Sequence, residues 1–102
     1  MKAIKINVIK KVNHLDLISK YENKIENPCS LNIGDTFIVK DYDEIPKGMC
    51  VSAYISLYPF IMSLLSGGSN IYHSWMKDDK SALVSCNDGF RPVSFLLEVV
   101  NI

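Results

Sequence analysis

The chain has no surplus of charge. Lysine plus arginine number 11, aspartate plus glutamate number 11, and the formal net charge is zero. A general nucleic-acid binder needs a basic excess to neutralise phosphates, so the balance argues against that class. Lys2, Lys5, Lys10 and Lys11 do cluster near the start. The cluster reads as a local basic patch or as a solvated strand edge, where lysines discourage edge-to-edge pairing. No run is long enough to cross a membrane. The most apolar stretch, 51–65, is interrupted by Ser52, Ser56, Pro59 and Ser63. A spanning helix needs roughly 20 predominantly apolar residues, so 51–65 reads as a core helix with no membrane partner. No secretory signal opens the sequence, where charged and apolar residues alternate instead. Cysteine is scarce and odd in number, at three. Three thiols cannot all pair within one chain, which fits free thiols in a reducing cytoplasm. The sequence shows no Cys-x-x-Cys pair, phosphate loop, dinucleotide fingerprint, Ser-His-Asp order or carboxylate dyad. No enzyme class follows.

What is present defines an ordinary globular domain. The apolar fraction is 48% and the charged fraction 22%, enough core-forming residues to make disorder a poor description. At 102 residues there is room for one core and one domain. Residues 2–12 alternate, with Ile4, Ile6 and Val8 on one face, the pattern of a half-buried strand. Asn13 is a good helix cap before the short apolar stripe Leu17, Ile18 and Tyr21. Polar residues 22–33, with Pro28, predict a loop. Gly34-Asp35 turns into the β-branched and aromatic run Thr36–Val39. A second loop spans 41–47. An apolar helix then runs from about Cys50 to Leu65, stopped by Gly67-Gly68 and kinked or broken at Pro59. Residues 69–80 read as irregular. Runs 81–86 and 93–101 read as strands joined through Asn87-Asp88-Gly89, a hairpin signal. The expectation is a single α+β domain, with two helices on one face of about four strands and a C-terminal antiparallel hairpin.

The helix 51–65 is apolar around most of its circumference. Only Ser52, Ser56, Pro59 and Ser63 form a polar stripe. One small sheet cannot cover such a helix. Either the loops 22–33 and 69–80 cover it, or a second subunit does. The second case makes the protein an interaction module or homo-oligomer.

The chemistry-bearing residues fall at the ends of elements. Cys50 begins the apolar helix, where unpaired backbone amides favour a thiolate, the form needed by a nucleophile or metal ligand. Cysteine is also a small hydrophobe that is often simply packed. Cys29 lies in a Pro-Cys-Ser loop and Cys86 ends a strand. Three thiols at converging ends could hold zinc or another soft metal, with His14 or His73 completing the set. Arg91 is the only arginine. A guanidinium fixed in a turn suits a small anion, or it pairs with Asp88 to shape the turn. Tyr72, His73 and Trp75 line a pocket, or Trp75 plugs the core. The site expected from these residues gathers Cys50, Cys86, Asp88, Arg91 and Trp75 around a small anionic ligand. Cys29, Cys50 and Cys86 are its metal-binding subset.

Several motifs together resemble a small family of uncharacterised bacterial and archaeal proteins of about this length. They are Gly48-x-Cys50, Gly67-Gly68, Trp75, Cys86-x-Asp88-Gly89-x-Arg91-Pro92-Val93-x-Phe95 and Gly34-Asp35-x-Phe37. The resemblance spans nearly the whole chain and implies that Cys29, Cys50, Cys86, Trp75, Asp88 and Arg91 belong to a common pattern. It implies no activity. Val51-Ser52-Ala53 departs from it where a tryptophan-bearing stretch is expected.

Overall fold

A computed structural model describes residues 1–26, 29–41 and 44–102. Pro28 of the first predicted loop, and Tyr42 and Asp43 of the second, lie outside the described residues. The elements follow in the order β1 (Lys2–Lys11), α1 (Leu15–Tyr21), β2 (Thr36–Val39), α2 (Val51–Leu65), α3 (Ile71–Ser74), β3 (Ser81–Ser85) and β4 (Val93–Asn101). The strands form one antiparallel sheet in the order β2-β1-β4-β3. The fold is α+β, with the C-terminal antiparallel hairpin in place.

The alternation in the strands builds the core face row by row. Phe37, Ile6, Leu97 and Ala82 stand side by side across all four strands. Val8, Phe95 and Val84 form the next row. α2 lays Ala53, Tyr54, Leu57, Ile61 and Leu64 onto these rows, and all five are buried. Phe95 is fully buried at the centre. On the opposite face Thr36 donates to Asn7 Oδ1 at 2.8 Å, and Asn7 donates to Glu98 Oε1 at 3.4 Å. Lys5 pairs with Glu98 in the register there. The lysine-rich strand is therefore not an edge: β1 is hydrogen-bonded on both sides. Its long alternating pattern suits an inner strand equally well.

Four local expectations change. His14, not Asn13, is the N-cap of α1, and it makes no side-chain cap bond. α1 has no buried residue at all. α2 continues unbroken through Pro59, which lies exposed on its outer side. The proline removes one helical hydrogen bond, to the carbonyl of Ile55, a residue that is itself 62% exposed. The Asp-Gly pair does not make a two-residue turn, since a type I′ turn needs positive φ and Gly89 has none. Residues 86–92 instead form a wider loop. Its bend is set by Asp88 Oδ1, which accepts from the amides of Phe90 (2.8 Å) and Arg91 (3.1 Å).

The α2 stop behaves as its glycines require. Gly68 N–H donates to the Ser63 carbonyl at 2.8 Å and Gly67 N–H to that of Leu64 at 3.2 Å. This double closure needs a left-handed residue, and Gly67 supplies it at φ +91°.

Candidate functional site

One side-chain hydrogen bond ties the start of α2 to the β3–β4 loop. Ser52 Oγ donates to Asn87 Oδ1 at 2.6 Å. Beneath it the last rung of the hairpin is unusual. Cys86 N–H donates to the Val93 carbonyl at 3.0 Å, while Val93 N–H donates to Cys86 Sγ at 3.2 Å. A sulfur stands where a carbonyl oxygen normally closes the pair. Cys50 is the N-cap of α2, and its Sγ accepts from Ala53 N–H at 3.4 Å. This is the role of a serine or aspartate cap, taken by a thiol.

A second strap fixes the far side. β1 bulges between Val8 and Lys10, then stays bonded to the loop: Val12 N–H donates to the Pro92 carbonyl and His14 N–H to that of Phe90. α1 follows and ends at Glu22. The Glu22 carboxylate accepts from Arg91 Nη1 at 2.6 Å, with the side chains only 12% and 20% exposed, respectively. The pairing of Arg91 expected with Asp88 is thus made by Glu22. Asp88 bonds the backbone amide of Arg91, not its guanidinium.

These straps enclose a cavity of about 270 Å³, lined by Cys29, Leu31, Cys50, Ser52, Ala53, Cys86, Asp88, Arg91 and Val93. All three cysteines border it, with Asp88 and Arg91. Cys50 is exposed at the mouth, Cys29 and Cys86 are half-buried, and all three are free thiols. The walls are apolar at Leu31, Ala53 and Val93. Asp88 and Arg91 add polar and charged groups to the lining.

Trp75 does not belong to this cavity. It is 82% exposed and stacks at 6.0 Å on Tyr72, so it neither plugs the core nor walls the thiol site. Tyr72 and His73 line a second, wider cavity with Pro59, Phe60 and Asn70. The Tyr72 hydroxyl donates to the Leu83 carbonyl at 3.0 Å, and burial raises its pKa above the ordinary value. The α3 turn is left-handed at Tyr72, His73 and Ser74, a conformation that branched or bulky residues rarely hold.

The donor set does not fit zinc. Among the described residues no group of three or more His, Cys, Asp or Glu side chains is arranged to hold a metal ion. The cysteine sulfurs border one cavity, but Sγ of Cys50 and Cys86 each face a backbone amide rather than a common point. Neither His14 nor His73 lines the cavity.

Glu22, Ser52 and Asn87 escaped the sequence reading. Glu22 lies 69 residues from Arg91, and nothing local marks the pair. Ser52 was legible only as part of a polar stripe.

The chain matches no protein-family model, no curated protein and no solved structure. Among the described residues no helix is long and apolar enough to cross a membrane.

Proposed function

We propose that the thiol-lined cavity binds a small organic monoanion, a short-chain carboxylate, in a reducing cytoplasm where its three thiols stay unpaired. The observation that carries the reading is the mixed lining of the cavity: the one arginine, Arg91, beside the apolar side chains of Leu31, Ala53 and Val93. Arg91 has five N–H donors and Glu22 takes one of them, so donors remain for a carboxylate. Leu31, Ala53 and Val93 would receive the hydrocarbon body. The volume of about 270 Å³ equals the liquid share of about nine waters, which limits the guest to roughly that many non-hydrogen atoms.

Charge selects among anions. Glu22 already pairs with the one guanidinium, so no positive surplus awaits a dianion. A monocarboxylate therefore fits better than phosphate. Cys50, at the mouth, caps the helix and meets whatever enters.

Thermal unfolding tests the reading, because a ligand that binds only the folded chain raises Tm by mass action. Butyrate raises Tm of the wild type more than phosphate or sulfate at matched ionic strength, and Arg91→Gln loses the response. Equal shifts for all salts, or an undiminished butyrate shift in Arg91→Gln, overturn it. A second reading, a non-catalytic module that associates through α2, is favoured by the apolar residues that helix leaves uncovered.

A further inference from the structure

We infer that Cys50 captures the guest of the thiol-lined cavity covalently and reversibly, and that this guest is a short ω-oxo acid, a carboxylate with an aldehyde at its far end. The inference rests on the carboxylate reading of Arg91 and gives a use to a thiol which that reading leaves idle. All three cysteines are free thiols, and Cys50 alone among them is exposed. Cysteine is among the residue types most often buried, so packing does not account for it. Capping does not account for it either. Its Sγ accepts from Ala53 N–H at 3.4 Å, a weak acceptor in a place that serine, asparagine or aspartate fills better. What sulfur adds is a side chain that is nucleophilic at neutral pH without a neighbouring base. The other two thiols are placed differently. Cys29 is half-buried. Cys86 is half-buried too, and its Sγ closes the last rung of the hairpin, 3.2 Å from Val93 N.

The cavity decides where the reacting carbon lies. Cys50 and Arg91 line the same space of about 270 Å³. No hydrogen bond joins them: the thiol is bonded to Ala53 N–H and the guanidinium to Glu22. A 2-oxo acid, whose carbonyl adjoins its carboxylate, would need the two groups in contact. A carboxylate held by Arg91, with its chain along Leu31, Ala53 and Val93, reaches Cys50 with its opposite end instead. Ala53 lies in the first turn of the helix that Cys50 caps, so the apolar wall leads to the thiol. A limit of about nine non-hydrogen atoms admits 4-oxobutanoate.

The step is an addition with no change of oxidation state. The Cys50 sulfur forms a bond to the aldehyde carbon, the π pair of the C=O bond moves to oxygen, and the thiol proton ends on that oxygen. The product is a thiohemiacetal. No group leaves, no further reactant enters, and the same path runs backwards on release. A 2-enoate also carries an electrophilic carbon, but its ionised carboxylate activates that carbon poorly, whereas an aldehyde needs no activation. An aldehyde without a carboxylate lacks the Arg91 contact, and a carboxylate without an aldehyde lacks the bond to sulfur. Selectivity comes from requiring both at once.

Calorimetry and carbon-13 NMR of the full chain are the test, with 4-oxobutanoate, butyrate and butanal as probes. 4-Oxobutanoate binds the wild type about tenfold tighter than either butyrate or butanal. Its labelled aldehyde carbon gains a new resonance, that of a carbon bearing one oxygen and one sulfur. Cys50→Ser keeps an acceptor for Ala53 N–H, and near-ultraviolet dichroism checks its fold. In that variant the advantage over butyrate and the new resonance both disappear. In Arg91→Gln the advantage over butanal disappears. Butyrate binding with no advantage for 4-oxobutanoate, or no new resonance in the saturated wild type, overturns the capture and leaves the carboxylate reading standing. Binding of neither overturns both. A new resonance that persists in Cys50→Ser places the bond on another thiol and overturns the role of Cys50.

Discussion

Replacing Glu22 with Gln separates two roles that Arg91 could hold. As an anchor for a ligand, Arg91 is hampered by Glu22, whose carboxylate occupies one of its donors at 2.6 Å. As a clamp for α1, it depends on Glu22. Both side chains are mostly buried, at 20% and 12% exposure, so the pair is not a screened surface bridge. A hydrogen bond to a charged group contributes about 1.5–3 kcal/mol, and most of that is lost in Glu22→Gln. For a domain of this size each kcal/mol shifts Tm by roughly 4–8 °C, so Tm falls by about 6–20 °C. α1 buries nothing of its own, so its amides lose exchange protection first. Ligand affinity moves the other way. A bound carboxylate and the Glu22 carboxylate, both on one guanidinium, sit roughly 6–10 Å apart. At an effective dielectric near 20 they repel by about 1.7–2.8 kcal/mol, and salt reduces this. Butyrate therefore binds Glu22→Gln about tenfold tighter than wild type, measured by calorimetry at low ionic strength. Weaker binding, or none in either protein, would show that Arg91 is a clamp and refute the reasoning.

Other substitutions probe single features. Gly68→Ala drives a Cβ to within 2.7 Å of the Ser63 carbonyl oxygen, whereas Gly89→Ala meets nothing within 4 Å. Urea unfolding should show a loss of about 2–3 kcal/mol for the first, as for overpacking, and less than about 0.5 kcal/mol for the second. Phe95→Ala empties the centre of the core and costs about 3–5 kcal/mol in the same assay. Cys50→Ser keeps an acceptor for Ala53 N–H, while Cys50→Ala removes it and costs about 1 kcal/mol, so the order of stability is Ser at or above Cys, then Ala. The folded chain holds the Tyr72 proton more tightly than the unfolded chain, because its pKa is raised by burial. That contribution is whole below the ordinary value of 10.0 and is lost as pH rises through the folded value. Tyr72→Phe therefore flattens the alkaline side of a stability–pH curve.

The strands were legible because β1, β2 and β4 follow side-chain alternation, and that alternation is the physical cause of their burial. The bounds of α2 followed from its glycine stop and its long apolar run. The gathering of Cys50, Cys86 and Arg91 followed from one alternative of a topological argument: a helix that starts over the hairpin end. The sequence could not choose that alternative. The choice is made by Ser52 on Asn87, a contact 35 residues apart. The partner of Arg91 was hidden for the same reason. Trp75 was expected in or beside the wall of the thiol site, but it lies outside the cavity lining, 82% exposed and 6.0 Å from Tyr72. The zinc reading failed because sequence places thiols near each other without fixing where their sulfurs point. Two of the three sulfurs face backbone amides.

The most direct measurement is an amide-resolved NMR titration with butyrate. Saturable shifts are expected at Cys29, Leu31, residues 50–53, residues 86–91 and Val93 alone, absent in Arg91→Gln and strengthened in Glu22→Gln. Shifts centred instead on residues 59–63 and 69–73, or no saturable shift anywhere, would contradict it.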